Sequence, residues 1–162
     1  MTPANARNTA PLVLVVDDHA ATRELYSTYL RTQGLRVLVA TNGAIGVRMA
    51  VASRPDVIVM DLSMPMLDGW AAIRALKRHR GTARIPIIAC TGHVEGGSGE
   101  AAIDAGCDAY LLKPCLPEHL LKEIRTQLAR ASQRRAQSAL AAASIPEPPA
   151  RSSARGSAIS AT

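Results

Sequence analysis

A chain of 162 residues with 48% apolar side chains suits one ordinary domain and a short tail, and with 2% aromatics and no Phe its core must be aliphatic. The run Leu12 to Val16 is too short for a membrane span or a signal-peptide core and two aspartates follow it, so no membrane partner and a cytoplasmic location are expected. The net charge of +6 is uneven: residues 1–128 hold 14 Lys and Arg against 12 Asp and Glu, whereas residues 129–162 hold five Arg against one Glu, so the basicity belongs mainly to the tail.

Residues 1–10 read as a flexible lead, 11–131 as the folded domain and 132–162 as a tail rich in Ala, Arg, Ser and Pro, partly helical and then disordered. Leu12 to Val16 is the first strand, a continuous apolar run ending in Asp17 and Asp18. A helix follows from about Ala20 to Thr32, with Leu25, Tyr29 and Leu30 on its apolar stripe and Gly34 as its stop. Leu35 to Ala40 is the second strand. Asn42-Gly43 turns into a second helix, Ala44 to Ser53, with Ile45, Met49 and Ala52 at helical spacing, and Pro55 ends it. Val57 to Met60 is the third strand; lacking alternation, it reads as a central parallel strand covered on both faces, and it delivers Asp61 to its carboxyl end.

Asp68 reads as the N-cap of a third helix from Gly69 or Trp70 to Arg80, which buries Ile73 and Leu76 and exposes Arg74, Lys77 and Arg78. Trp70 and the Met64-Pro65-Met66 run are expected to pack the loop and this helix. Pro86 to Cys90 is the fourth strand, with Thr91-Gly92 after it. Gly96, Gly97 and Gly99 delay a short helical piece to about Glu100–Ala105 and leave a flexible loop before it. Ala109 to Leu112 is the fifth strand, ending at Lys113-Pro114, and a last helix starts near Pro117 with Leu120, Leu121, Ile124 and Leu128 on its stripe. Five βα repeats argue for a doubly wound α/β domain with a parallel sheet and right-handed crossovers. Cys90, Cys107 and Cys115, odd in number and without C-x-x-C spacing, read as reduced thiols, with Cys90 packed inside and Cys115 more exposed.

In such a fold the carboxyl ends of parallel strands share one edge, which collects Asp17, Asp18, Asp61, Thr91 and Lys113. Three carboxylates so placed repel one another until something neutralises them. A hard divalent cation such as Mg2+ does so through oxygen ligands, and Lys113 adds a second positive point. Carboxylate, metal, ammonium and hydroxyl together make a site for a phosphoryl group, with one carboxylate free to attack phosphorus.

Asp17-Asp18, the segment Asp61-Leu62-Ser63-Met64-Pro65-Met66-Leu67-Asp68-Gly69, Thr91-Gly92 and Tyr110-Leu111-Leu112-Lys113-Pro114 resemble the receiver domain of two-component response regulators, over about residues 11 to 130. The resemblance implies a flavodoxin-like five-stranded sheet of order 2-1-3-4-5. It implies that Asp61 is the phosphoacceptor, served by a sensor histidine kinase or a histidine phosphotransfer protein. It implies Mg2+ held directly by Asp18, Asp61 and the backbone carbonyl of Ser63, with Asp17 acting through water. It further implies that Lys113 pairs with Asp61 and then with the phosphoryl oxygens, that Thr91 moves to that group, that Tyr110 turns inward behind it, and that the Lys113–Pro114 peptide is cis. Cys115, where many receivers carry Phe, and the glycine-rich start of the short helical piece depart from the family pattern without removing a catalytic group.

The leading reading is a stand-alone phosphorylatable receiver that catalyses only its own phosphoryl transfer and is otherwise no enzyme. Its signal leaves through an unidentified protein target, and a homodimer through the short helical piece, the fifth strand and the last helix is compatible with it. An aspartyl-nucleophile phosphatase of the haloacid dehalogenase type competes, but it needs an Asp where Ser63 stands. A nucleic-acid binder acting through the Arg-containing tail lacks interleaved aromatics or a motif. Asp17 as a helix cap, Tyr110 as core filler and Lys113 as a solvated charge are the simpler alternatives for those residues. His19 and His93 are not read as ligands; His93 is placed at the mouth of the site.

Overall fold

Five strands form one parallel sheet: β1 Leu12–Val16, β2 Arg36–Ala40, β3 Val57–Asp61, β4 Ile87–Thr91 and β5 Ala109–Leu112. The structure, a computed structural model, describes residues 10–64, 68–92, 101 and 103–143. Strand order is β2-β1-β3-β4-β5, as expected for the doubly wound fold. Helices α1 Ala20–Thr32, α2 Gly43–Ser53 and α3 Gly69–Arg78 connect the first four strands, and a C-terminal helix runs from Pro117 to Ala143. Two apolar clusters cover the two faces of the sheet. One joins Leu14, Ile58, Met60 and Ile87 to α2 and α3; the other joins Val13, Val15, Val59 and Ile88 to α1 and the C-terminal helix. Strands β1, β3 and β4 are buried at every residue, which is why their sequences run apolar without alternation.

Two helices bury different faces from those the sequence suggested. In α1, Tyr26 and Leu30 face inward and Leu25 is 54% exposed, so the stripe is turned by about one residue. In α2 the buried positions are Gly43, Gly46 and Ala50, while Ala52 is exposed and Ile45 and Met49 are only partly covered. Gly46 explains the choice: a Cβ there would stand 2.8 Å from Val16 Cγ2, so the helix lies on β1 through its smallest residues. Asp68 caps α3 as the sequence implied, its Oδ1 accepting from Ala71 N at 2.7 Å, and α2 starts at Gly43, one residue earlier than expected, capped by Asn42, whose Oδ1 accepts from Ile45 N at 2.9 Å.

Lys77, expected in solvent, is half-buried and donates to Asp108 Oδ2 at 2.9 Å and to the Ile85 carbonyl at 3.1 Å. Asp108 Oδ2 also accepts from Ile87 N at 3.0 Å, so this carboxylate pins the start of β4 at the amino edge of the sheet. At the same edge Asp56 Oδ2 accepts from Leu12 N at 2.9 Å. The C-terminal helix passes residue 131 without a break, and residues 132–143 are exposed. Its Arg134 and Arg135 lie 3.7 Å from Asp108 and 3.9 Å from Asp56. The expectations for the lead at 1–9, the glycine-rich loop at 93–100 and the tail beyond 143 lie outside the described residues. Cys90 and Cys107 are buried free thiols and Cys115 is partly exposed; burial pushes the Cys90 thiol up to about 12, which keeps it protonated and inert.

Tyr26 ties α1 to the segment that follows β5. Its phenol donates to the Cys115 carbonyl at 2.9 Å, and burial raises its pKa from 10.0 to about 12. A group whose folded pKa is raised contributes stability that is complete below the unfolded value and disappears as pH climbs through the folded one. Tyr26→Phe is therefore expected to cost about 1 kcal/mol at pH 7, the worth of one hydrogen bond. It should also make the loss of stability between about pH 10 and 12 shallower than in the wild type. Urea denaturation at both pH values checks this, and an unchanged alkaline slope would place the titration elsewhere.

Candidate functional site

The parallel register brings the expected residues to one edge. Asp17 and Asp18 follow β1, Asp61 closes β3, Thr91 closes β4 and Lys113 follows β5. Backbone bonds from Leu62 N to the Cys90 carbonyl, 2.9 Å, and from Lys113 N to the Thr91 carbonyl, 2.7 Å, extend the strand pairing past β3 and β5 and hold these ends level.

Asp61 is 2% exposed and Asp17 is 3% exposed, burial that charged side chains tolerate only when paired. Lys113 pairs with both: its Nζ stands 2.7 Å from Asp17 Oδ2 and 3.0 Å from Asp61 Oδ2. Burial works against the ammonium's charge, but hydrogen bonds to Asp17 and Asp61 and their negative charges outweigh it, so the Lys113 pKa is held above its ordinary value. Lys113 is thus no solvated surface charge. The second oxygens of the two carboxylates are turned to backbone: Asp61 Oδ1 accepts from Ser63 N at 3.0 Å and Asp17 Oδ1 from His19 N at 2.8 Å. The latter bond closes a turn one residue before the helix; His19, not Asp17, occupies the cap position of α1. The Lys113–Pro114 peptide is cis.

Asp17, Asp18, His19 and Asp61 each offer a donor atom, and these atoms lie within 4.8 Å of one another. Three carboxylates face one ammonium, an excess of negative charge that calls for a cation. Asp18 Oδ1 adds a specific sign of one: it is buried and makes no hydrogen bond to any described residue, although His19 Nδ1 stands only 2.9 Å away. A buried anionic oxygen left in this state is costly, and a divalent ion with oxygen ligands relieves it. The donor set therefore fits Mg2+.

His19 is a member of the cluster that the sequence reading left out; its place directly after two aspartates was the available signal. His93 lies outside the described residues. Thr91 is buried at the end of β4, beside the site. Tyr110 is 46% exposed on the edge strand, so it is not core filler. Arg23 was also missed: its Nη1 donates to the Asp17 carbonyl at 2.8 Å and fixes the turn that carries both aspartates. Of the loop residues expected to pack, Met64 is buried and Trp70 is partly covered against the same cluster.

Comparison with known proteins agrees with this geometry. The family model described as the response regulator receiver domain matches residues 13–125. The chain is 35% identical over 120 residues to the DNA-binding dual master transcriptional regulator RpaA of Synechocystis, covering 74% of this chain and 50% of that protein. It is 40% identical over 119 residues to the response regulator MprA of Mycobacterium tuberculosis, covering 73% and 50%. The chain thus spans about half the length of the curated relatives it matches. Among solved structures, the receiver domain of a Pseudomonas aeruginosa sensor histidine kinase, with a magnesium ion in its active-site cleft, is similar at TM-score 0.69 and 31% identity, covering 75% of this chain and 99% of that one. The Vibrio cholerae chemotaxis protein CheY4 is similar at TM-score 0.69 and 29% identity, covering 73% and 98%.

Proposed function

The chain belongs to the response regulator receiver family of two-component signalling, and from that premise we propose that Asp61 accepts a phosphoryl group from a phosphohistidine of a sensor kinase or a histidine phosphotransfer protein. The observation that carries this reading is the burial of Asp61 at 2% exposure with Lys113 Nζ 3.0 Å from its Oδ2. A carboxylate paired with an ammonium and shielded from bulk water is a usable nucleophile.

In the transfer an Asp61 oxygen forms the bond to phosphorus while the phosphorus–nitrogen bond of the donor breaks, and the imidazole leaves with its electron pair and takes a proton. Asp18, Asp61 and the Ser63 carbonyl would hold Mg2+, with Asp17 contributing through water. The ion supplies positive charge to the phosphoryl oxygens when bound. Lys113 starts between Asp17 and Asp61 and follows the negative charge to the phosphoryl group. Thr91, from the end of β4, offers a hydroxyl donor to a phosphoryl oxygen. Tyr110, 46% exposed on β5, would turn inward when Thr91 is drawn to the site. The signal then leaves through a protein contact. The same acidic site returns the phosphoryl group to water, so the protein acts on itself and on no separate substrate. Ser63, two residues after the nucleophile, cannot serve as the acid–base Asp of a haloacid dehalogenase-type phosphatase.

Incubation with a small acyl phosphate and Mg2+ should add one phosphoryl group by intact mass, and chelation should prevent it. Failure of the protein to label with Mg2+ present would overturn the assignment. Mg2+ alone should also stabilise the fold, by about 2.7 kcal/mol at one hundred times its Kd. Asp18→Asn should weaken this more than Asp17→Asn, because Asp17 is already engaged by Lys113 at 2.7 Å and by His19 N at 2.8 Å. Thermal unfolding against Mg2+ concentration measures both, and equal losses would refute the division of roles.

A further inference from the structure

The ring of His19 is turned towards the acidic cluster although solvent is open to it. Its side chain is 69% exposed, yet Nδ1 stands 2.9 Å from Asp18 Oδ1 and 3.5 Å from Asp17 Oδ1. The backbone of His19 is fixed beside the cluster: its N donates to Asp17 Oδ1 at 2.8 Å, and its carbonyl accepts from Arg23 N at 3.1 Å. The Asp18 oxygen opposite Nδ1 is the buried atom that makes no hydrogen bond to any described residue. The two atoms therefore stand at ion-pair distance on the border of the carboxylate cluster.

Their separation has a geometric meaning. An octahedral ion with bonds of about 2.1 Å has adjacent ligands about 3.0 Å apart. The 2.9 Å between Nδ1 and Asp18 Oδ1 is one such edge. Resting on the reading of this cluster as a metal site, we propose that His19 supplies a nitrogen ligand to it. The residue thereby shifts the preference of the site from Mg2+ towards first-row transition divalents such as Co2+ and Mn2+. Mg2+ takes oxygen ligands and keeps its waters, so an imidazole adds little to its binding. Transition ions accept imidazole readily, and their affinities rise along the series from Mn2+ to Cu2+. A site of three carboxylates and one imidazole thus discriminates in a way that three carboxylates alone do not.

The competing role is an outer one, in which His19 only steers Asp18 by donating to it. A steering residue would help every metal alike; a ligand helps only those that take nitrogen. Calorimetric titration of the full chain with MgCl2 and with CoCl2, in wild type, His19→Gln and Asp18→Asn, separates the two. His19→Gln should weaken Co2+ binding by about 10-fold or more and change Mg2+ binding by less than about two-fold. Asp18→Asn should weaken both. Mn2+ bound to the wild type should show nitrogen hyperfine coupling in pulsed EPR, lost in His19→Gln. Equal loss of Mg2+ and Co2+ in His19→Gln, absence of nitrogen coupling, or Co2+ binding that survives Asp18→Asn undiminished would overturn the proposal. A wild type that binds Co2+ through His19 but no Mg2+ supports the nitrogen ligand while removing Mg2+ from the function. Normal Mg2+ binding with no effect of His19→Gln on Co2+ removes His19 alone.

Discussion

Asp61→Asn is expected to abolish phosphoryl incorporation from a small acyl phosphate, with a rate loss on the order of 10⁴-fold or more, as for other nucleophile deletions. An amide oxygen carries no negative charge to attack phosphorus. The neighbouring carboxylates are poor substitutes: Asp17 holds Lys113 through one oxygen and His19 N through the other, and Asp18 is turned towards His19. The same change removes one of three mutually repelling carboxylates, so the metal-free variant should be at least as stable as the wild type. Denaturation and intact mass measured on one preparation therefore separate lost chemistry from lost folding. Label that persists in a folded Asp61→Asn protein would move the acceptor to another residue.

Gly69→Ala should produce the largest loss of stability for the smallest chemical change. Gly69 is the first residue of α3 and lies directly on the end of β3. A Cβ there would overlap the Asp61 carbonyl oxygen and stand 2.7 Å from Leu62 Cα. Both are backbone atoms, which cannot rotate out of the way as a side chain would. Overpacking a core by one group costs about 1–3 kcal/mol, and a backbone obstacle places this one at about 3 kcal/mol. The strand end would also shift, so phosphorylation should slow even where the variant remains folded. Gly92→Ala serves as the control, since a Cβ there meets nothing within 4 Å and should change stability by no more than about 0.5 kcal/mol. Equal urea midpoints for the two variants would refute this account of the β3–α3 junction.

The sheet was legible because β1, β3 and β4 are buried on both faces, which leaves uninterrupted apolar runs that end at charged residues. Asp17, Asp18 and Asp61 were legible for the same reason, as they stand where such runs stop, and Lys113 stands at the end of the shorter apolar run of β5. Helix faces were harder to read. On α1, Leu25 with Tyr29 and Tyr26 with Leu30 are equally good pairs four residues apart. What selects Tyr26 is the Cys115 carbonyl it meets 89 positions away, a partner that no local pattern contains. On α2 the inward face is made of Gly43, Gly46 and Ala50, whose small size is a packing requirement that a hydrophobicity pattern understates. Lys77 was misplaced because a lysine on an amphipathic helix ordinarily belongs outside, and Asp108 becomes its partner only when β5 is laid beside β4. His19 was not read as a ligand, because its one signal, the place directly after two aspartates, lacks the spacing of a metal motif.

The Lys113–Asp17 pair has a mechanical consequence. β5 is an edge strand, paired among the described residues with β4, and its residues are only partly buried or exposed, whereas Asp17 follows β1, with β3 and β4 lying between. One side chain therefore braces this edge strand against the interior of the sheet, across the width of β3 and β4. Any new negative charge on Asp61 competes for that ammonium and slackens the brace at its Asp17 end. The outer strand can in this way register an event on β3 while β1, β3 and the aliphatic layers between the helices keep their packing, so the change reaches the surface along the rim.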